Sequence, residues 1–338
     1  PSRIGFGREL SRLESPTAVK AFLKWRSLPQ GKAGARIWIS SPGAKALRLQ
    51  ILLQSLPVGA EIRFLQKGSS SVRESCIAHV IKGPWNSKES MGERVADIWS
   101  PLLMGDEMGI EVLLIRGISP NQIRFSLPRI SHIEILPSSR QEIQPAENLR
   151  QQAVERSIIR LIVTQQGDTG VCTGTLLQNE KGGSFPIVLT AAHCLPSAAA
   201  ARSIQVVCPL FFKTKGQTKS VAKPLFAARL LSLQPRFDAA LVQLQHSAPE
   251  GVNYRSWSLV SPKEHQRIHL AHWPLSDNLV WAKGQIDMGL RCHSDPRGLH
   301  CHRCSPFTAN FLKVHFNEGM THTGSSGAAL LDNETQSV

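Results

Sequence analysis

The sequence predicts an all-β chain of two domains, and three observations carry that reading. Apolar runs of five to eight residues recur between Gly, Pro and Ser breaks from about Ala35 onward, the pattern of many short strands. A polar stretch at residues 137–148, with Ser138, Ser139, Gln141, Gln144 and Pro145, separates a first block from a second. The length of 338 residues, 41% of them hydrophobic, is ample for two cores at the usual allowance of about 100–200 residues each.

Taken in order, residues 1–27 are polar, and Ser15 before Pro16 marks the start of a short helix over 15–26. Strand-like runs follow at 35–40, 46–54, 61–66, 77–81, 95–103, 109–115, 122–127 and 132–136. Turn signals at 41–43, 56–59 and 117–120 break them. Short strands with regular turns predict an antiparallel sandwich for a domain spanning 1–140. Nothing in this block has the makings of a reaction site. His79 and His132 lie in or beside strand-like runs and are read as structural histidines with hydrogen-bond partners.

Charge excludes some classes of function. The net charge of +14 divides into +8 over residues 1–150 and +6 over 151–338, with no run of five or six basic residues. Nucleic-acid readers gather their charge into a patch or stripe, so no nucleic-acid partner is expected. No stretch approaches the ~18 apolar residues of a membrane helix, so no membrane partner is expected either. Cys76 stands alone in the first half, whereas Cys172, Cys194, Cys208, Cys292, Cys301 and Cys304 lie in the second. That distribution points to an oxidising compartment or a metal site.

The chemistry lies in the second block, 150–338. Two strand-like runs, Val171–Leu177 and Ile187–Thr190, flank a turn containing Gly182 and Gly183, and His193 follows the second. Cys172 and Cys194 lie 22 positions apart, and a bridge between them would tie the loop of His193 to the first strand. Asp238 comes next, at the mouth of the apolar run 239–244, where a carboxylate is costly unless paired; an imidazole N–H is a suitable partner. Then comes Gly324-Ser325-Ser326-Gly327. Glycines on both sides of Ser326 suit a tight turn, from which the N–H groups of Gly324 and Ser326 could converge on a developing oxyanion.

The order His193, Asp238, Ser326 is that of the chymotrypsin arrangement. With Cys172–Leu176, Leu189–Cys194, His272-Trp273-Pro274 and Gly319–Gly327, it gives the second block a resemblance to trypsin-like serine endopeptidases, and among them to bacterial lysyl endopeptidase-like secreted proteases. Residues 46–50, 56–64, 98–107 and 130–132 resemble the β-rich region that precedes the protease domain in such enzymes. The resemblance implies a double β-barrel, here truncated at its carboxyl end because only 12 residues follow Ser326. It implies catalysis by His193, Asp238 and Ser326 through an acyl-enzyme, with the amides of Gly324 and Ser326 as oxyanion hole and with no cofactor. Protein or peptide substrates, a monomer, a secreted or periplasmic location and a pro-region or accessory role for residues 1–140 follow from it. A second barrel missing its last strands is expected to be poorly active or inactive.

The chain also departs from the pattern. Ser325 stands where trypsin carries the aspartate that pairs with a newly cut amino terminus, so activation is expected to work without that ion pair. His322 replaces the Glu of the lysyl endopeptidase pattern, and Ala328-Ala329 replace its Ser-Pro, so the resemblance does not extend to a preference for lysine. Cys292, Cys301 and Cys304, with His293, His300 and His302, offer either a zinc site or disulfides. Disulfide pairing, with Cys208 available, is the preferred reading. Against a protease stand an inactive protease-like scaffold and a zinc-stabilised interaction module around 292–304.

Overall fold

The computed structural model describes residues 1–66, 76–82, 85–86, 95–136, 149–179, 185–207, 225–244, 247–249, 251–275, 279–295 and 298–338, and the chain is all-β with a few short helices. Residues 137–148 and Cys208 lie outside the described residues, as do the side chains of Cys76 and His79. Two compact units emerge, one of Arg3–Leu136 with Thr164–Gly170, the other of Pro1–Ser2, Pro137–Val163 and Val171–Val338.

The first unit is built on two antiparallel sheets around one core. One sheet has Ala46–Leu56 at its centre, paired with Arg124–Ser126, Arg129–Ile133 and Ala96–Trp99. The other runs Arg26–Leu28, Lys32–Ser40, Glu107–Leu114, Ala60–Gln66, Cys76–Lys82. The period-2 alternation shows in Lys32–Ser40, which buries Ala35, Ile37 and Ile39 and exposes Arg36, Trp38 and Ser40. Leu47, Leu49, Ile51 and Leu53 from one sheet share a core with Ile37, Phe64, Ile110 and Val112 from the other.

Three local departures from the sequence reading have physical reasons. The run 95–103 divides into Ala96–Trp99 and Leu103–Met104, because Pro101 has no N–H for the ladder. The helix is Pro16–Phe22: the Ser15 hydroxyl accepts the Ala18 N–H at 3.1 Å, and Leu23 is already extended. Ser2–Glu9, read as polar, is a strand paired from Gly5↔Ile133 to Glu9↔Arg129. Its apolar content is little more than Ile4 and Phe6, so the pairing is made by backbone that leaves no hydrophobic signature.

In the second unit, Asp168–Leu177, Ile158–Gln165, Gln205–Val207, Leu225–Gln234, Ala239–Leu244 and Ile187–Thr190 pair in that order. Pairing of Ile187–Thr190 with Asp168–Leu177 closes the ring into a barrel. Leu161, Val163, Leu176, Val188 and Val242 fill it. A second antiparallel sheet runs Gly298–Cys304, Val280–Asp295, Arg267–His272, Leu331–Asp332, with Phe311–Glu318 also on Val280–Asp295. Val280–Asp295 and Gly298–Cys304 pair antiparallel as a long β-hairpin in which Cys292 faces Cys301.

Candidate active site

His193 and Asp238 come from adjacent edges of the ring. Ile187–Thr190 pairs with Ala239–Leu244, Thr190 facing Ala240, so the residues just after the first strand meet those just before the second. His193 lies in the single 3-10 turn Ala192–Cys194. Asp238 occupies a left-handed position, φ 48° and ψ 42°, one residue before its strand, a conformation aspartate tolerates better than most residues. Three hydrogen bonds lock the two together. The Asp238 carbonyl accepts the Ala192 N–H at 3.0 Å, Oδ1 accepts the His193 N–H at 2.9 Å, and Oδ2 lies 2.7 Å from His193 Nδ1.

A carboxylate can only accept, so the proton on the neutral ring sits on Nδ1 and Nε2 carries the lone pair. The Asp238 side chain keeps 37% of its surface exposed; its pairing, rather than deep burial, is what the structure adds to the sequence reading.

Ser326 sits in a double turn. Gly324 (φ 101°) and Gly327 (φ 88°) flank it in left-handed conformations that a side chain would strain. A Cβ on Gly327 would collide with Thr190 Oγ1 and the Thr173 carbonyl, and one on Gly324 would meet Leu275 N and Trp273 O at 2.8 Å. Among the described residues, the amides of Gly324 and Ser326 have no protein acceptor.

The turn is fastened to the same ring that carries His193. The Thr173 N–H donates to the Ser326 carbonyl at 2.8 Å, and Thr173 Oγ1 donates to the Gly324 carbonyl at 2.9 Å. Cys172 and Cys194 form a disulfide, and Cys194 Sγ lies 3.8 Å from the Ser326 carbonyl. As half of a disulfide that sulfur carries no proton, so this is a packing contact and not a hydrogen bond. His193 and Ser326 are thus one residue away from, and at, the same junction.

Sequence reasoning missed Thr173. Its hydroxyl also accepts the Trp273 N–H at 3.0 Å, and its carbonyl accepts the Thr190 hydroxyl at 2.8 Å. Its position in the Cys172–Leu176 phrase was visible, but its partners lie 17 to 153 positions away. Cys292 and Cys301 are bonded to each other, which takes both thiolates out of the zinc arrangement considered from sequence. Cys304 is a free thiol.

With this geometry in place, comparison with known proteins gives a family. The lysyl endopeptidase N-terminal domain matches residues 1–134, and the lysyl endopeptidase C-terminal domain matches residues 142–338. The chain belongs to the lysyl endopeptidase family. The lysyl endopeptidase of Pseudomonas aeruginosa is 24% identical over 320 residues, covering 85% of this chain and 64% of that protein. The chain therefore spans less than two thirds of the length of this relative. Among solved structures, the Rv3671c protease of M. tuberculosis in its active form is 17% identical, covers 60% of this chain and 80% of that one, and gives a TM-score of 0.39. A thermostable serine protease, AL20, from an extremophilic microorganism is 15% identical over 55% of this chain and 82% of that one, with a TM-score of 0.37.

Proposed function

We propose that this chain is a serine endopeptidase that hydrolyses peptide bonds through Ser326, His193 and Asp238. The observation that carries the reading is the His193 Nδ1–Asp238 Oδ2 bond of 2.7 Å, which leaves Nε2 as the basic nitrogen of a residue whose neighbour Cys194 packs against the Ser326 carbonyl. In this reading Ser326 Oγ attacks the scissile carbonyl while His193 Nε2 takes its proton. The same nitrogen returns it to the leaving amine, and water then repeats the cycle on the acyl-enzyme. Asp238 stabilises the imidazolium formed on the way. The amides of Gly324 and Ser326, which have no acceptor among the described residues, receive the oxyanion, a role that needs donors not already committed to the protein. Proteins or peptides are the substrates, and the two disulfides fit a secreted or periplasmic location.

A fluorophosphonate probe tests the reading directly. It should label the wild-type protein at Ser326 and leave Ser326→Ala unlabelled; an unlabelled wild type would favour an inactive protease-like scaffold. We further propose that residues 1–140 serve residues 150–338 as a pro-region or accessory domain. Residues 150 onward, expressed in the full reading frame without the first block, should fold poorly or label slowly. A folded, fully reactive product would contradict that role.

A further inference from the structure

The residue before the nucleophile carries no charge, yet it is not idle. The Ser325 side chain is buried, and its Oγ lies 2.7 Å from Nδ1 of His272, whose ring is fully buried at the end of the strand Arg267–His272. His272 Nε2 lies 3.1 Å from the Met320 carbonyl. A carbonyl can only accept, so Nε2 carries the proton, Nδ1 holds a lone pair, and the Ser325 hydroxyl donates to it. The hydroxyl oxygen then accepts the His322 N–H at 2.8 Å, while the Ser325 N–H donates to the His322 carbonyl at 2.9 Å. Each polar atom of the relay is satisfied, and the direction of each bond is fixed by the one before it. Burial holds the ring neutral, its pKa pushed down to about 4, so the relay keeps one protonation pattern throughout the neutral range.

The segment that follows His272 has its own anchors. Trp273 donates from its backbone to Thr173 Oγ1 and from Nε1 to the Ile158 carbonyl at 3.2 Å. Arg160 Nη2 donates to the Pro274 carbonyl at 3.1 Å, and the Leu275 N–H donates to the Thr323 carbonyl at 2.7 Å. His272 is therefore held on the ring side by its neighbours and grips the nucleophile turn through Ser325 on the other.

We infer that His272 is a positioning residue for the nucleophile turn, acting through Ser325 as an uncharged strut that holds the Gly324–Ser326 amides in their oxyanion-binding conformation. The inference rests on the reading of Ser326 as nucleophile. It supplies what a charged pair with a cut amino terminus would otherwise do, with groups already present in the folded chain.

The test is saturation kinetics of fluorophosphonate labelling on the full-length protein, which separates probe binding (KI) from the chemical step (kinact). Ser325→Ala and His272→Leu should each slow kinact on the order of 10-fold to 100-fold with KI little changed, the cost of a misplaced oxyanion site. The double variant should be no slower than the worse single one, because both act through one unit. His272→Asn keeps an acceptor near the Nδ1 position and should recover most of the rate. Should His272→Leu fail to fold, Ser325→Ala, which removes a single atom, carries the test. The inference is overturned if wild type labels at Ser326 while Ser325→Ala keeps its kinact, or if His272→Asn is as slow as a folded His272→Leu. A wild type that does not label at Ser326 sinks the site reading, and this inference with it.

Discussion

The same pair of side chains occurs in both units of the molecule. In the amino-terminal sandwich, Ser41 Oγ lies 2.8 Å from Nδ1 of the buried His132; in the second unit, Ser325 Oγ lies 2.7 Å from Nδ1 of the buried His272. Burial lowers the pKa of both rings. What differs is what the serine belongs to. Ser41 closes a turn between strands, donating its N–H to the Asp106 carbonyl and accepting the Ala44 N–H at 3.1 Å. Ser325 shares a four-residue turn with Ser326 and with two amides that have no acceptor among the described residues. One bond type satisfies a core histidine in one unit and reaches the proposed reacting group in the other, so function resides in the neighbours of the pair rather than in the pair.

The largest expected effect sets the scale for that contrast. Asp238→Asn keeps the shape at His193 but presents an N–H where Nδ1–H needs an acceptor, favouring the wrong tautomer. Labelling should fall by about 10⁴-fold, as in other triads, with the thermal unfolding of the protein little changed. A loss below tenfold would mean that the 2.7 Å contact is structural, like that of His132.

The two disulfides sharpen the comparison inside the second unit. Cys172–Cys194 spans 22 positions and Cys292–Cys301 spans 9, so chain entropy alone predicts stabilisation of about 3.4 and 2.6 kcal/mol. The stability costs are close; the effects on reaction should not be. Cys172→Ala/Cys194→Ala removes the sulfur packed against the Ser326 carbonyl and should slow labelling well beyond the loss of folded protein. Cys292→Ala/Cys301→Ala, far along the hairpin, should leave labelling of the folded fraction unchanged. Equal effects in the two pairs would argue against a special place for Cys194.

How much of this was legible beforehand follows the reach of each interaction. His193, Asp238 and Ser326 stand in short phrases whose neighbours announce them, a small-residue turn after a strand or glycines on both sides. The strands of the sandwich showed as apolar runs because each buries a face, and Ser2–Glu9, with almost no apolar face, did not show. Thr173 and His272 were both inside phrases that carried the family resemblance, yet nothing local revealed their work. Their partners lie 151 and 53 positions away and become neighbours only when the ring and the second sheet have formed. A hydroxyl in a strand and a histidine at a strand end have many ordinary uses, and only the three-dimensional partner selects one.

Ser41→Ala is the control that the comparison requires. It leaves Nδ1 of His132 buried without its hydroxyl partner, a cost of about 1–3 kcal/mol to the sandwich. Thermal unfolding should record that loss, and kinact should stay at the wild-type value, in contrast to Ser325→Ala. A slowed kinact in Ser41→Ala would erase the distinction between the two pairs.

The smallest effect is the response to acid, and its sign follows from burial. His272 takes up its proton near pH 4 when folded and near 6.5 when unfolded. Between those values the unfolded chain binds a proton that the folded chain refuses, so stability falls as the pH drops from 6.5 and levels off below about 4. From pH 6.5 to 5.5 this one ring should contribute a loss of about 1 kcal/mol. His132 and His269, also lowered by burial, act in the same direction, and Glu155, raised by burial, acts in the opposite one. The contribution of His272 is therefore read as a difference: unfolding of wild type and His272→Asn compared at pH 6.5 and 5.5, with His132→Asn as the matching variant in the sandwich. His272→Asn should flatten the acid slope of the transition that belongs to the second unit. An unchanged slope would mean that the folded ring takes up its proton over the same pH range as the unfolded one, so that burial does not hold it neutral and the strut loses its lone-pair acceptor as the pH falls through that range.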